Sequence, residues 1–152
     1  MLDFENTIRI ERPAAEVFEF IADFENLPKW NYYVLQVQKT SPGGPALGTT
    51  YHQVRKTDEQ SFRITQFEPN QRVAVKTLEG ESPQLEMQLS LKAEGDATLV
   101  RDHWQLETGK PGLIEKLAAG RVKSAVAENL TMLKQLLEAG QTVLQDGRVA
   151  RR

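Results

Sequence analysis

One aspartate stands where the sequence predicts an apolar side chain. In the segment LVRDHW, Asp102 is two residues from Val100 and two from Trp104, so the three side chains share one face of a predicted strand. A buried carboxylate is costly unless it is paired, protonated or solvated. The spacing therefore makes Asp102 the first candidate for chemistry in this chain.

His52 is the second candidate, because it alternates with Thr50 and Val54 on another predicted strand. A three-residue loop to the next strand would pair His52 with Ile64 and place it on the same sheet face as Asp102. An imidazole and a carboxyl group can bind or move a proton near neutral pH. The two side chains are therefore candidates to hold the polar group of a ligand. The alternatives are a structural polar pair, or an aspartate that reaches water at the open end of its strand.

The residue types give little support to other kinds of site. The chain has no cysteine, which excludes disulfides, thiol catalysis and thiolate-bound metals. His103 is predicted on the face opposite Asp102, so the two histidines make a poor metal site, and we expect no metal and no other cofactor. Gly43, Gly44 and Gly48 lack the spacing of a phosphate-binding loop, so no nucleotide site is predicted.

Length and charge narrow the class of protein. The chain has 152 residues, 19 basic and 21 acidic side chains, and a formal net charge of -2. Its only basic cluster is the C-terminal tail, so we expect no nucleic-acid partner and expect residues 146–152 to be disordered. The sequence contains no export signal and no membrane-spanning stretch, which predicts a cytoplasmic protein without stable membrane insertion. The oligomeric state is left open.

Hydrophobic periodicity and turn residues predict the elements that position these side chains. Alternation over residues 3–11 predicts a first strand, and Pro13 begins a helix. A turn at Pro28 leads through Trp30 into a second strand, YYVLQVQKT. Residues 49–107 predict five more strands separated by turns, as in an antiparallel meander.

Two predicted turns define strand registers. A two-residue turn at Gly95-Asp96 gives the cross-strand pairs Leu91 with Val100, Leu89 with Asp102, Met87 with Trp104 and Leu85 with Leu106. A two-residue turn at Pro69-Asn70 gives the pairs Phe62 with Thr77, Ile64 with Val75 and Gln66 with Val73. Both registers gather apolar side chains on one face of the sheet.

Residues 112–139 predict one long helix that ends at Gly140. Its apolar stripe has spacings of three and four and consists of Ile114, Leu117, Ala118, Val122, Ala125, Asn129, Leu133, Leu136 and Leu137. We expect the whole stripe to lie on the sheet, because no other apolar surface is large enough for it.

The order of strand, two short helices, six strands and long helix resembles the START-like (SRPBCC) superfamily, and within it the polyketide cyclase/dehydrase-like group. The resemblance is carried by IRIERPAAEVFEFIADFENLPKWN and by the amphipathic last helix, and it spans Ile8 to Leu137. It implies an α+β helix-grip fold over residues 1–145, with a curved antiparallel sheet of about seven strands around the long helix and a cavity between them. The superfamily includes lipid, sterol, hormone and quinone binders, aromatic polyketide cyclases and co-chaperone domains, so the fold does not choose a chemistry.

The predicted ligand-binding residues lie on the sheet face toward the long helix, or on that helix. They are His52, Phe62, Ile64, Gln66, Val75, Thr77, Met87, Leu89, Asp102, Trp104 and Asn129. Trp30, Tyr32 and Tyr33 lie close to a Gly/Pro-rich loop, where the resemblance implies a gate to the cavity. Plain packing is the alternative for these three aromatics, and for Met87 and Trp104.

Three functions are compatible with these features. We favour a module that encloses a hydrophobic small molecule, such as a lipid, an isoprenoid or quinone, or a polyketide-like aromatic, and carries or senses it. The alternative is a cyclase or dehydratase in which Asp102 and His52 act as general acid and base. A protein-interaction domain of the co-chaperone type is the third.

Overall fold

A seven-stranded sheet and one long helix form the two layers of the structure, a computed structural model that describes residues 1–152. The N-terminal elements are β1 (Leu2–Ile10), α1 (Ala14–Ile21), a 3-10 helix (Phe24–Lys29) and β2 (Val34–Lys39). The meander consists of β3 (Thr50–Arg55), β4 (Glu59–Glu68), β5 (Arg72–Thr77), β6 (Gln84–Glu94) and β7 (Ala97–Glu107). The C-terminal elements are α2 (Gly112–Ala139), β8 (Gln141–Val143) and β9 (Val149–Arg151).

The strand order of the main sheet is β1-β7-β6-β5-β4-β3-β2, and all its strand pairs are antiparallel. The chain reaches the far edge of the sheet directly after β1, because α1 and the 3-10 helix carry it from one edge to the other. β1 then serves as the outer neighbour of β7, with Asn6 opposite Asp102. The predicted α+β helix-grip fold is confirmed, including the two short helices and the bounds of the long one.

The C-terminal half of α2 supplies the centre of the core. Leu130, Leu133, Leu136 and Leu137 are each no more than 1% exposed, and they belong to the same cluster as residues of β1, α1 and the sheet. Full burial of a leucine stabilises a fold by roughly 1.5–3 kcal/mol. Gly140 ends the helix with a φ of 83°, a left-handed conformation that glycine adopts without strain.

The N-terminal half of α2 departs from the prediction that the whole apolar stripe lies on the sheet. Ile114 and Leu117 are exposed, at 51% and 76%, and so is Leu113. The residue that turns inward here is Glu115, whose carboxylate accepts a hydrogen bond from Thr108 Oγ1 at 2.6 Å. Because residues two apart are separated by roughly 160° around a helix, burying Glu115 turns Leu113 and Leu117 toward solvent.

The prediction that residues 146–152 are disordered is wrong. β9 pairs with β8, and Ala150 is buried in the core. Arg148 donates a hydrogen bond from Nη2 to the backbone oxygen of Tyr32 at 2.8 Å, and Arg152 forms an ion pair with Glu16. The β8–β9 pairing and the contacts of Arg148 and Arg152 with distant parts of the chain hold the tail in place. None of the helices combines the length and the apolar character that a membrane-spanning segment needs.

Candidate functional site

A cavity of about 400 Å³ lies between the sheet and the middle of α2. The 22 residues that line it come from the 3-10 helix, the loop after it, β2, the five strands of the meander and α2. Fifteen of them are hydrophobic. A groove of about 470 Å³ between β1 and the first turns of α2 is also present. In that groove no side-chain polar atom is both buried and unpaired, whereas the cavity of about 400 Å³ contains three such atoms. The cavity of about 400 Å³ is therefore the candidate site.

Asp102 faces this cavity because β7 alternates between the two faces of the sheet. Its side chain is 1% exposed, no basic side chain pairs with it, and its Oδ1 atom has no hydrogen-bond partner in the protein. Burial raises the pKa of Asp102 to about 7. The nearby indole of Trp104 acts against this rise in pKa, but its Nε1–H does not reach hydrogen-bonding geometry.

Two further polar atoms in the cavity wall lack a partner: Trp104 Nε1 and Asn129 Oδ1. Phe4 of β1 holds the indole of Trp104 in place by stacking, with the ring centroids 5.8 Å apart. α2 presents Asn129 to the cavity one turn before the core residue Leu133. Buried polar atoms in native proteins are nearly always paired, and an unpaired one costs roughly 1–3 kcal/mol. Three of the six buried side-chain atoms without a hydrogen-bond partner in the protein therefore lie in this one cavity, where they are available to pair with a bound molecule.

Two other polar side chains of the sheet in this wall, Thr77 and Arg55, have partners in the protein. Thr77 Oγ1 donates a hydrogen bond to the backbone oxygen of Leu85 at 3.2 Å and accepts one from the Leu85 N–H at 3.0 Å. Arg55 is held at the cavity edge by an ion pair with Asp58, with Nη2 and Oδ2 2.6 Å apart. The guanidinium lowers the pKa of the Asp58 carboxyl group. The fully buried side-chain atoms of this wall that lack a partner are thus those of Asp102, Trp104 and Asn129.

The structure brings most of the predicted site residues into the cavity wall. Those that line it are Phe62, Val75, Thr77, Met87, Asp102, Trp104 and Asn129, together with the predicted gate residues Trp30, Tyr32 and Tyr33. Ile64 and Leu89 face the same side of the sheet but are fully buried in the core and do not line the cavity. The role of these residues in ligand binding stays a prediction.

The predicted placement of His52 on the cavity side of the sheet is wrong. His52 pairs with Ser61, not with Ile64, and its ring lies on the outer face, where Nδ1 is 3.1 Å from Ser61 Oγ. The cause is the turn: the Arg55 N–H donates to the Asp58 oxygen at 2.8 Å, so only two residues connect the strands. This shifts the register by an odd number of residues and exchanges the two faces of β3. His52 and Asp102 therefore cannot act as an acid–base pair.

The predicted position of Gln66 on the cavity side is wrong as well. The pairs Phe62 with Thr77 and Ile64 with Val75 are confirmed, but a β-bulge follows Ile64, and Gln66 then pairs with Ala74. The extra residue in the bulge reverses the alternation, so that Phe67 packs against the core and the Gln66 amide lies near Glu68.

Sequence reasoning missed four polar residues of the wall, namely Asn31, Gln53, Arg55 and Arg121. Gln53 replaces His52 on the inner face once the turn has its observed length. The opposite charges of Arg55 and Asp58, three residues apart, are the signal that indicates a tight turn here. No group of three or more His, Asp or Glu side chains in the structure lies close enough together to hold a metal ion.

Comparison with protein families agrees with this architecture. A family model described as "Polyketide cyclase / dehydrase and lipid transport" matches residues 1–138. The chain belongs to this family. The START-like resemblance predicted from the sequence is therefore confirmed, and the family description itself joins enzymes with transport proteins. No curated protein sequence matches the chain.

Three solved structures share the fold of this polyketide cyclase/dehydrase-family protein over nearly their whole length. TTHA0849 from Thermus thermophilus has 19% sequence identity and a TM-score of 0.75, covering 90% of this chain and 97% of that one. A START superfamily protein from Mycobacterium smegmatis has 17% identity and a TM-score of 0.71, with 90% and 99% covered. DR_A0006 from Deinococcus radiodurans has 14% identity and a TM-score of 0.67, with 91% and 98% covered. At these identities the likeness concerns the fold alone.

Proposed function

We propose that this protein binds a hydrophobic small molecule in the cavity between the sheet and α2, as a carrier or a sensor. The observation that carries the proposal is the composition of the cavity wall: fifteen of its 22 residues are hydrophobic, and three of its buried polar atoms have no partner in the protein. Ligand sites typically combine an apolar enclosure with a few polar groups that orient the ligand. The volume of about 400 Å³ lies within the usual range for such sites.

The free energy of binding would come mainly from apolar contact. Phe62, Met87 and Val126 offer aromatic and aliphatic surface from both layers of the fold. Transfer of apolar ligand surface out of water contributes roughly 25 cal/mol per Å² buried, before the costs of association are subtracted. The ligand classes that suit this wall are a lipid chain, an isoprenoid or quinone, and a polyketide-like aromatic. No histidine lines the cavity, and binding of such molecules requires none.

The aromatic residues beside the cavity differ in how freely they could move. Trp30 is 3% exposed and belongs to the core cluster, so it forms a fixed part of the wall. Tyr33 is 42% exposed and contacts Tyr32 edge to face, with ring centroids 5.4 Å apart. The backbone of Tyr32 is held by Arg148. We therefore assign gating of ligand entry to Tyr33 and a supporting role to the other two.

The first test is native mass spectrometry of the purified protein, followed by organic extraction of any retained molecule. The stripped protein is then titrated with four compounds: 1-decanol represents a lipid chain, farnesol an isoprenoid, menadione a quinone, and 2-naphthol a polyketide-like aromatic. The proposal expects a retained hydrophobic molecule, or a rise in melting temperature with at least one of the four. A protein that retains none and binds none of the four would contradict the proposal.

A pair of variants on α2 locates the site. Ala125 lines the cavity, whereas the neighbouring Ser124 is exposed and does not. Ala125→Trp fills the cavity, and we expect it to weaken binding of any compound that binds the wild type by more than tenfold. Ser124→Trp adds the same side chain outside the cavity and should leave the dissociation constant within twofold. Equal loss of binding in both variants would place the site elsewhere.

A further inference from the structure

The unpaired atoms in the cavity wall differ in what they can do as hydrogen-bonding groups. Trp104 Nε1–H can only donate a hydrogen bond, and Asn129 Oδ1 can only accept one. The Asp102 carboxyl group accepts when it is ionised and also donates when it is protonated. All three side chains line one cavity. A ligand that pairs all of them must therefore offer both an acceptor and a donor inside this cavity.

A neutral hydroxyl group meets this requirement with a single oxygen atom. Its two lone pairs can accept from the Trp104 N–H and from the protonated Asp102 carboxyl group, while its one proton is donated to Asn129 Oδ1. We propose that the ligand carries an alcohol or phenol group on an otherwise apolar body, and that Trp104, Asn129 and Asp102 bind this hydroxyl. The inference rests on the proposed function, since it names the class of molecule that the same cavity takes.

Other polar groups leave an unfavourable contact in this site. A carboxylate bound at these three side chains brings a negative charge toward the acceptor oxygens of Asp102 and Asn129. Of the two arginines in the wall, Arg55 is already paired with Asp58 and Arg121 is exposed to solvent. A ketone can accept from Trp104 but has no proton for Asn129 Oδ1. A pure hydrocarbon leaves all three atoms unpaired, as they are in the protein alone. The hydroxyl is thus favoured over each of these by at least one hydrogen bond.

Four naphthalene compounds of matched shape provide the test: 2-naphthol, 2-acetylnaphthalene, 2-naphthoate and naphthalene. Their dissociation constants are measured by isothermal titration calorimetry at pH 7 with the stripped wild-type protein. We expect 2-naphthol to bind at least tenfold more tightly than each of the other three compounds. Equal affinities for the four compounds would overturn the hydroxyl assignment while leaving the proposed function intact. Failure of all four to bind would overturn the hydroxyl assignment, and it would overturn the proposed function as well if the protein also retains no molecule and binds none of 1-decanol, farnesol and menadione.

Replacement of one donor isolates its contribution. Trp104→Phe removes the Nε1–H and keeps an aromatic ring, so it should weaken 2-naphthol binding about tenfold and change naphthalene binding less than twofold. Naphthalene serves as the internal control for folding and for the shape of the cavity, and Ser124→Ala, outside the wall, serves as the control for substitution itself. A Trp104→Phe protein that keeps the full preference for 2-naphthol would contradict the assignment of this donor.

Discussion

The interior of this protein has two ends that are built in opposite ways. At the packed end, Leu130, Leu133 and Leu136 of α2 meet a sheet face on which Ile64 and Leu89 are fully buried. At the cavity end, the same helix and the same sheet face enclose about 400 Å³ and present Asp102 with an unpaired oxygen. Both ends belong to the same two layers, so the difference between them lies in their side chains. The side chains at the cavity end reduce stability, and function is the usual reason for such a loss.

The largest effect is expected at the packed end. Leu133→Ala removes a side chain with no exposed surface and should lower the free energy of unfolding by about 2–5 kcal/mol, because the surrounding core cannot collapse into the space. Leu117→Ala makes the same chemical change on the same helix at a side chain that is 76% exposed. It should change the free energy of unfolding by no more than about 0.5 kcal/mol. Urea denaturation of both variants measures the difference, and similar costs at the two positions would contradict the assignment of Leu133 to the packed end and of Leu117 to the exposed surface of α2.

A somewhat smaller effect is expected at the cavity end, and it depends on pH. The pKa of Asp102 is about 7 in the folded protein and near 3.8 when the group is solvated. The folded state therefore holds a proton that the unfolded state releases, and the free energy of unfolding falls as pH rises from about 4 to about 7. Between pH 5 and pH 8 this group should remove roughly 3 kcal/mol of stability.

Asp102→Asn isolates this contribution because asparagine has a similar shape and does not titrate. The pairs that lower the pKa values of Asp58 and Asp146 act in both proteins and cancel in the comparison. The wild type should lose stability relative to the variant as pH rises from 5 to 8, as measured by urea denaturation at each pH. Parallel pH profiles for the two proteins would show that the Asp102 carboxyl group is ionised across this range.

The parts of this fold that the sequence predicts best have strong local signals. Gly95, with a φ of 65°, forms the two-residue turn that defines the β6–β7 register, and the four pairs predicted from it are confirmed. The bounds of α2 follow from its apolar periodicity and from Gly140. Asp102, Trp104 and Asn129 are predictable because they lie on these two well-determined elements.

The errors arise where tertiary contacts override a weak local signal. The β3–β4 turn contains Lys56 and Thr57 and lacks the glycine, proline or asparagine that usually identifies a tight turn. The opposite charges of Arg55 and Asp58 are its one sequence signal, and this signal is weaker than turn chemistry in defining the face on which His52 lies. The bulge after Ile64 has no signature in the sequence. The order of the C-terminal tail depends on Glu16 and on the backbone of Tyr32, which are remote in sequence.

The three methionines allow the most direct test of the claim that the cavity binds an apolar ligand. Met87 lines the cavity, Met132 lies outside its wall with Sδ 3.4 Å from Thr142 Oγ1, and Met1 is 64% exposed. We would label the methionine methyl groups with ¹³C and titrate the protein with 2-naphthol, following the methyl signals by NMR. The account predicts a large saturable shift of the Met87 signal and little change at Met132 and Met1. A Met87 signal that stays unchanged at saturating 2-naphthol would contradict it.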